Sequence, residues 1–231
     1  KFTNKLLREV ILKDLQSYAD HINQLDMVDG SKRRILSSIK SLFAFAHKLG
    51  YLHFDVARVL ILPTPKDTLA ERILSYDEVK RIINTEHHPR NQLILKTLFI
   101  TGIRVSELCG LCWRDLTERS DGGQMTVYGK GQKTRVVLVP EPLWSELMEF
   151  KGSVSEDFFI FRGRKRSSQM HPTTSLRIVR KAALKADIHK NVSNHWMRHA
   201  HASCCVSGEG AGKNSKPAPL HVVQQSLGHS S

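Results

Sequence analysis

The residues of this 231-residue chain that could do chemistry are mostly basic, and the densest group is Asn194-His195-Trp196-Met197-Arg198-His199-Ala200-His201. On a helix, His195 shares a face with Arg198 three positions on and with His199 four positions on. An arginine fork matches phosphate oxygens, and a neighbouring imidazole can donate a hydrogen bond or move a proton. A metal is the competing reading. The His195–His199 spacing is that of H-E-x-x-H, but Trp196 stands where the catalytic glutamate belongs. Cys204 and Cys205 could add ligands, yet Arg198 would set a cation beside the ion. The balance favours no metal.

Four further segments carry candidate groups. In Thr101-Gly102-Ile103-Arg104-Val105-Ser106-Glu107-Leu108, Arg104 follows a glycine turn at a helix start, beside backbone N–H groups that favour an anion; a plain surface arginine is the alternative. Lys130, in Gly129-Lys130-Gly131-Gln132, sits at a hairpin tip whose glycines let backbone approach a ligand, unless it is an ordinary solvated turn lysine. Arg162, Arg164, Lys165 and Arg166 place four cations in five residues, a loop that either tracks phosphates or is simply solvated. His229 follows a glycine stop in Leu227-Gly228-His229. Two look-alikes are discounted. Cys109-Gly110-Leu111-Cys112 has no βαβ context and no second pair, so its cysteines read as small core residues at a helix end. Ser207 to Asn214 is out of register for a nucleotide loop and reads as an insertion, extended by Lys216-Pro217-Ala218-Pro219.

The elements that must position these groups are mostly helical. Residues 31–50 give the clearest helix, with Ser31 as N-cap, Gly50 past the end, and a stripe of Ile35, Ile39, Leu42, Ala46 and Leu49. Leu12, Leu15, Ala19, Ile22 and Leu25 repeat that period, so the two helices are predicted to pack together in a small N-terminal domain over 1–62. Two prolines in Leu62-Pro63-Thr64-Pro65 favour extended backbone and mark a linker over 63–72. A second domain, 73–231, opens on a Ser75–Glu78 capping box. Helices at about 76–85 and 89–101 follow, the latter stopped at Gly102; Met125–Tyr128 and Thr134–Val139 read as a hairpin, and the rest is mostly helical. The fold class is mainly α (α+β): a small helical domain, then a larger helical domain with a small antiparallel sheet.

Composition narrows the partner. Lys and Arg (35) exceed Asp and Glu (22) by 13, which suits a polyanion whose condensed counterions are released on binding. The apolar run Leu93 to Ile103 is broken by Lys96 and Thr97, and no strongly basic amphipathic helix stands out, so membrane binding is not expected. Four cysteines are too few for a disulfide scaffold and indicate a reducing compartment. The chain begins at Lys1, not Met, and both ends read as trimmed.

In order along the chain, T-G-I-R-V-S-E-L-C-G-L (101–111), G-K-G-Q-K-T-R (129–135), H-W-M-R-H-A (195–200) and L-G-H-S (227–230) resemble the tyrosine recombinase, or phage integrase, family, in particular its Xer-like and mobile-element members. The resemblance spans essentially the whole chain, as most of a DNA-clamping core-binding domain followed by a catalytic domain lacking its end. It implies that a tyrosine attacks the scissile phosphate, leaving a 3′-phosphotyrosyl link and a 5′-hydroxyl. It casts Arg104 and Arg198 as the clamp on the non-bridging oxygens, His195 and His229 as further donors, and Lys130 (Lys133 in another register) as the acid for the leaving oxygen. Neither metal nor other cofactor is implied. The partners implied are double-stranded DNA and further copies of the chain, as a dimer on one site or a tetramer on two, in the bacterial cytoplasm at the nucleoid. The family's tyrosine follows the L-G-H histidine, whereas Tyr18, Tyr51, Tyr76 and Tyr128 all precede it. Either the nucleophile lies beyond Ser231, or the protein is a DNA-binding relative without one.

Overall fold

The computed structural model describes residues 5–64, 73–129, 134–165, 168–209 and 217–227. The chain divides into two compact units, Lys1–Thr68 and Leu69–Ser231.

The first unit is built on α1 (Leu12–Gln24) and α2 (Asp29–Lys48). Leu15, Ala19 and Ile22 of α1 pack with Leu36, Phe43 and Ala46 of α2, closed by Leu52, Ala57 and Leu60. Of the predicted stripe, Ala46 is buried and Ile35 and Ile39 are half-buried against this core, whereas Leu42 and Leu49 are 51% and 67% exposed, and Leu36 and Phe43 are sealed instead. The helix reads I-L-S-S-I-K-S-L-F-A-F-A, in which two apolar sets interleave, and a 3.6-residue period alone does not choose between them. The start is also earlier than predicted. Val28 is the N-cap, without a side-chain bond, and Ser31 lies inside the helix; Gly50 ends it in the left-handed region, φ 72°.

The second unit opens with α3 (Tyr76–Asn84), where the capping box forms as predicted: Glu78 N–H donates to Ser75 Oγ at 3.2 Å, and Ser75 N–H to the Glu78 carboxylate at 2.9 Å. Next come α4 (Pro89–Thr101), α5 (Val105–Gly110), β1 (Leu116–Arg119), β2 (Gly122–Tyr128), β3 (Thr134–Pro140), α6 (Glu141–Lys151), α7 (Pro172–Lys185), α8 (Asn194–Ser207) and α9 (Leu220–Leu227). The sheet is antiparallel in the order β1-β2-β3, with Met125 opposite Val137 and Val127 opposite Arg135. β1 is not among the predicted strands; its Leu-Thr-Glu-Arg carries one half-buried residue and little alternation to read. Met125, Val127, Val137 and Val139 turn inward onto a core shared with α4, a helix apolar on nearly every side. Cys109 and Cys112 are buried, and burial pushes the Cys109 thiol up to about 11. No helix among the described residues is long and apolar enough to cross a membrane.

Candidate active site

The site forms where the end of α4, the start of α5, the start of β3 and the middle of α8 meet. Gly102 stops α4 with a left-handed turn, φ 59°, that directs the chain through buried Ile103 to Arg104, the N-cap residue of α5. Only glycine suits this turn. A Cβ there would collide with His201 Cδ2 and lie 2.9 Å from Leu227 Cδ2.

Glu107 organises the cations. Its carboxylate is 2% exposed. It accepts two bonds from Arg135, Nη1 to Oε1 at 2.7 Å and Nη2 to Oε2 at 2.9 Å. It also takes the Arg104 backbone N–H at 2.7 Å and Arg104 Nη1 at 3.0 Å. A bidentate fork fixes guanidinium orientation as well as position. Arg135 reaches Glu107 because β alternation gives it the inward face of β3 that Val137 and Val139 share. Burial raises the Glu107 pKa, but bonds from Arg135 and Arg104 outweigh it, and the carboxyl titrates below its ordinary range.

Of the N–H groups at the start of α5, that of Arg104 is taken by Glu107. What faces outward is the Arg104 guanidinium itself, whose side chain is 39% exposed.

Arg198 is 4% exposed. Nη1 donates to the Gly102 carbonyl at 2.6 Å and Nη2 to the Leu227 carbonyl at 2.5 Å. Burial lowers its pKa to about 10, with Arg104 and Arg135 adding to the fall and Glu107 opposing it, so it stays charged at neutral pH. Asn194 secures the start of α8, its Oδ1 accepting from buried Ser175 Oγ of α7 at 2.8 Å. His195 is exposed, and its ring meets His199 edge-on at 4.2 Å between centroids. Arg104 and Arg198 are thus brought into one electrostatic cluster. Lys130, Lys133, Arg166, His229 and the stretch 210–216 lie outside the described residues.

Arg162, Arg164 and Lys165 belong to a separate loop. Arg162 stacks over Phe158 at 4.9 Å, and an isolated bridge pairs it with Gln169. Arg90 ties the root of the loop, its Nη2 donating to the Arg162 carbonyl at 2.5 Å.

Glu107, Arg135 and His201 are functional candidates to which sequence reasoning gives no role, although all three lie inside recognised segments. The available signal is spacing: Glu107 stands three after Arg104, as in a capping box. His201 is half-buried; burial and the charge of Arg198 lower its pKa, against a backbone bond to Phe99. Among the described residues no group of three or more His, Cys, Asp or Glu side chains could hold a metal ion.

Comparison with known proteins supplies the family. The tyrosine recombinase XerC of Xanthomonas axonopodis pv. citri is 31% identical over 206 residues, covering 87% of this chain and 64% of that protein. The chain therefore spans less than two thirds of that relative's length. Two solved structures share the fold. XerH recombinase bound to a palindromic difH substrate, in a post-cleavage complex, has a TM-score of 0.74 at 20% identity, covering all of this chain and 67% of that one. A lambda integrase tetramer bound to a Holliday junction has 0.72 at 16%, covering 97% and 66%. The phage integrase family model matches residues 72–231, the whole span that carries Arg104, Glu107, Arg135 and Arg198, and the chain belongs to that family.

Proposed function

We propose that the protein is a site-specific DNA recombinase that cleaves and rejoins strands through a 3′-phosphotyrosyl intermediate. The observation that carries the reading is the arginine cluster: Arg104 and Arg135 held on one buried carboxylate, and Arg198 on two backbone carbonyls. Cations locked before the reaction stabilise charge developing on a phosphoryl group without reorganising at that moment. Arg104 presents its exposed guanidinium to one non-bridging oxygen. Arg198, with two of its five N–H donors on carbonyls, turns others to the phosphate.

His195 and His229 add donors, and Lys130 protonates the departing 5′-oxygen. The attacking tyrosine is supplied beyond the L-G-H motif. Arg162, Arg164, Lys165 and Arg166 track the DNA backbone beside the cleavage point. The assembly is a tetramer on two duplexes, as the lambda integrase on its Holliday junction is, and it works at the bacterial nucleoid. The bond energy is kept in the phosphotyrosine, so the reaction draws on neither ATP nor a metal.

A second reading is a DNA-binding relative without a nucleophile. One experiment separates the two. The product of the complete gene is incubated with duplexes carrying a randomised core and a bridging 5′-phosphorothiolate, which blocks religation. A protein–DNA adduct that survives denaturation, with the DNA 3′-end on a tyrosine, is the expected result. Retention of DNA that is lost entirely on denaturation would establish the second reading.

A further inference from the structure

His201 is a half-buried polar group that the proposed mechanism leaves without a task. It stands three residues after Arg198 on α8, so the two side chains leave the helix on neighbouring paths. Its ring edge meets the turn at Gly102, where any Cβ would collide with His201 Cδ2. The same Cβ would meet Leu227 Cδ2 at 2.9 Å, so ring, turn and leucine come together at one point. Gly102 and Leu227 are also the two residues whose carbonyls accept from Arg198. The imidazole thus packs against one acceptor residue, Gly102, at the point where the side chain of the other, Leu227, also arrives.

The ring also meets Cys205, whose Sγ lies 3.6 Å from Nε2, one turn further along α8. Beyond it opens a groove of about 610 Å³ between α4, α8, β3 and α9, with Thr101, Arg135, Leu138 and Val223 among its walls. His201 thus borders the groove as well as the Gly102 turn. If it recedes into the groove, the turn and α9 can follow, and the carbonyls with them.

We propose that His201 is a positioning residue for the phosphate clamp: wedged between the Gly102 turn and α9, it fixes the two carbonyls that aim Arg198. It makes no contact with the reacting atoms. The proposal rests on the reading of Arg198 as a phosphate ligand and deepens it. A role as filler alone predicts that any apolar side chain of similar size will serve. Positioning by a planar, tethered group predicts that it will not.

The test is titration with inorganic phosphate at fixed ionic strength, followed through the Nε–Hε resonances of Arg104 and Arg198, with thermal unfolding of each variant as the check on folding. In His201→Leu and His201→Phe the phosphate affinity read at Arg198 should fall about tenfold, the scale of one charge-assisted bond removed. His201→Gln, planar and able to donate, should stay within about twofold of the wild type. If His201→Leu does not fold, His201→Phe carries the comparison. Wild-type affinity in either folded apolar variant, or a His201→Gln protein as weak as the apolar ones, overturns the proposal. A wild-type protein whose Arg198 resonance ignores phosphate overturns the parent reading of the clamp, and this proposal with it.

Discussion

Two groups of arginines in the second unit are handled in opposite ways. Arg135 and Arg198 are drawn into the protein, with side-chain exposure of 15% for Arg135 and residue exposure of 4% for Arg198, and each is locked by bonds of 2.5–2.9 Å. Arg164 and Lys165 stand exposed, and among the described residues neither they nor Arg162 share an ion pair. In the loop the order lies in the backbone: Gly163 N–H donates to the Ser168 carbonyl at 2.7 Å, and Arg90 anchors the Arg162 carbonyl. Desolvated cations are costly and useful only when their direction matters, as it does at a reacting phosphate. Solvated cations cost little and act at a distance, through steering and counterion release. On the proposed function, the first group supplies geometry and the second attraction.

The comparison breaks most visibly at Glu107. Glu107→Ala leaves Arg135 and Arg104 facing a buried void, and it should cost about 3 kcal/mol or more by chemical unfolding. The same carboxylate sets a pH dependence. Its folded pKa is depressed, so its contribution is complete above its ordinary value of 4.5 and is lost as pH falls through the folded value. Glu107→Gln should remove that acid-side component, and unfolding curves of the two proteins between neutral pH and pH 3 check it; parallel curves would mean that Glu107 is not the carboxylate at work.

The exposed group gives the smaller effect on stability. The double change Arg164→Ala with Lys165→Ala should leave unfolding within about 0.5 kcal/mol of the wild type. It should also lower the slope of log affinity against log salt by about 2 on random-sequence duplex DNA, one for each phosphate no longer neutralised. An unchanged slope would move the loop off the DNA and leave the contrast between the two groups without its second half.

How much of this is legible in the sequence follows the range of the forces involved. The Ser75 capping box, the Pro89 start and the Gly102 stop are local, three or four residues long, and stand where the residue types put them. The stripe of α2 holds at Ile35, Ile39 and Ala46 but misses at Leu42, because Leu42 and Phe43 are equally apolar and only the partner helix selects Phe43. Arg198 reaches the Gly102 carbonyl across 96 residues, a pairing no local pattern encodes. Pairing of Arg104 with Arg198 comes from family resemblance, whereas the shared carboxylate, Arg135 and His201 become visible only in three dimensions.

The central claim is that Arg198 serves phosphate chemistry and not attachment to DNA. It is tested most directly by measuring, for Arg198→Ala and the wild type of the complete gene product, duplex affinity and covalent strand cleavage on one DNA. Cleavage should fall at least about a hundredfold, as when a preorganised oxyanion donor is removed, while affinity stays within a few-fold. Equal loss of both would contradict it and make Arg198 a structural cation.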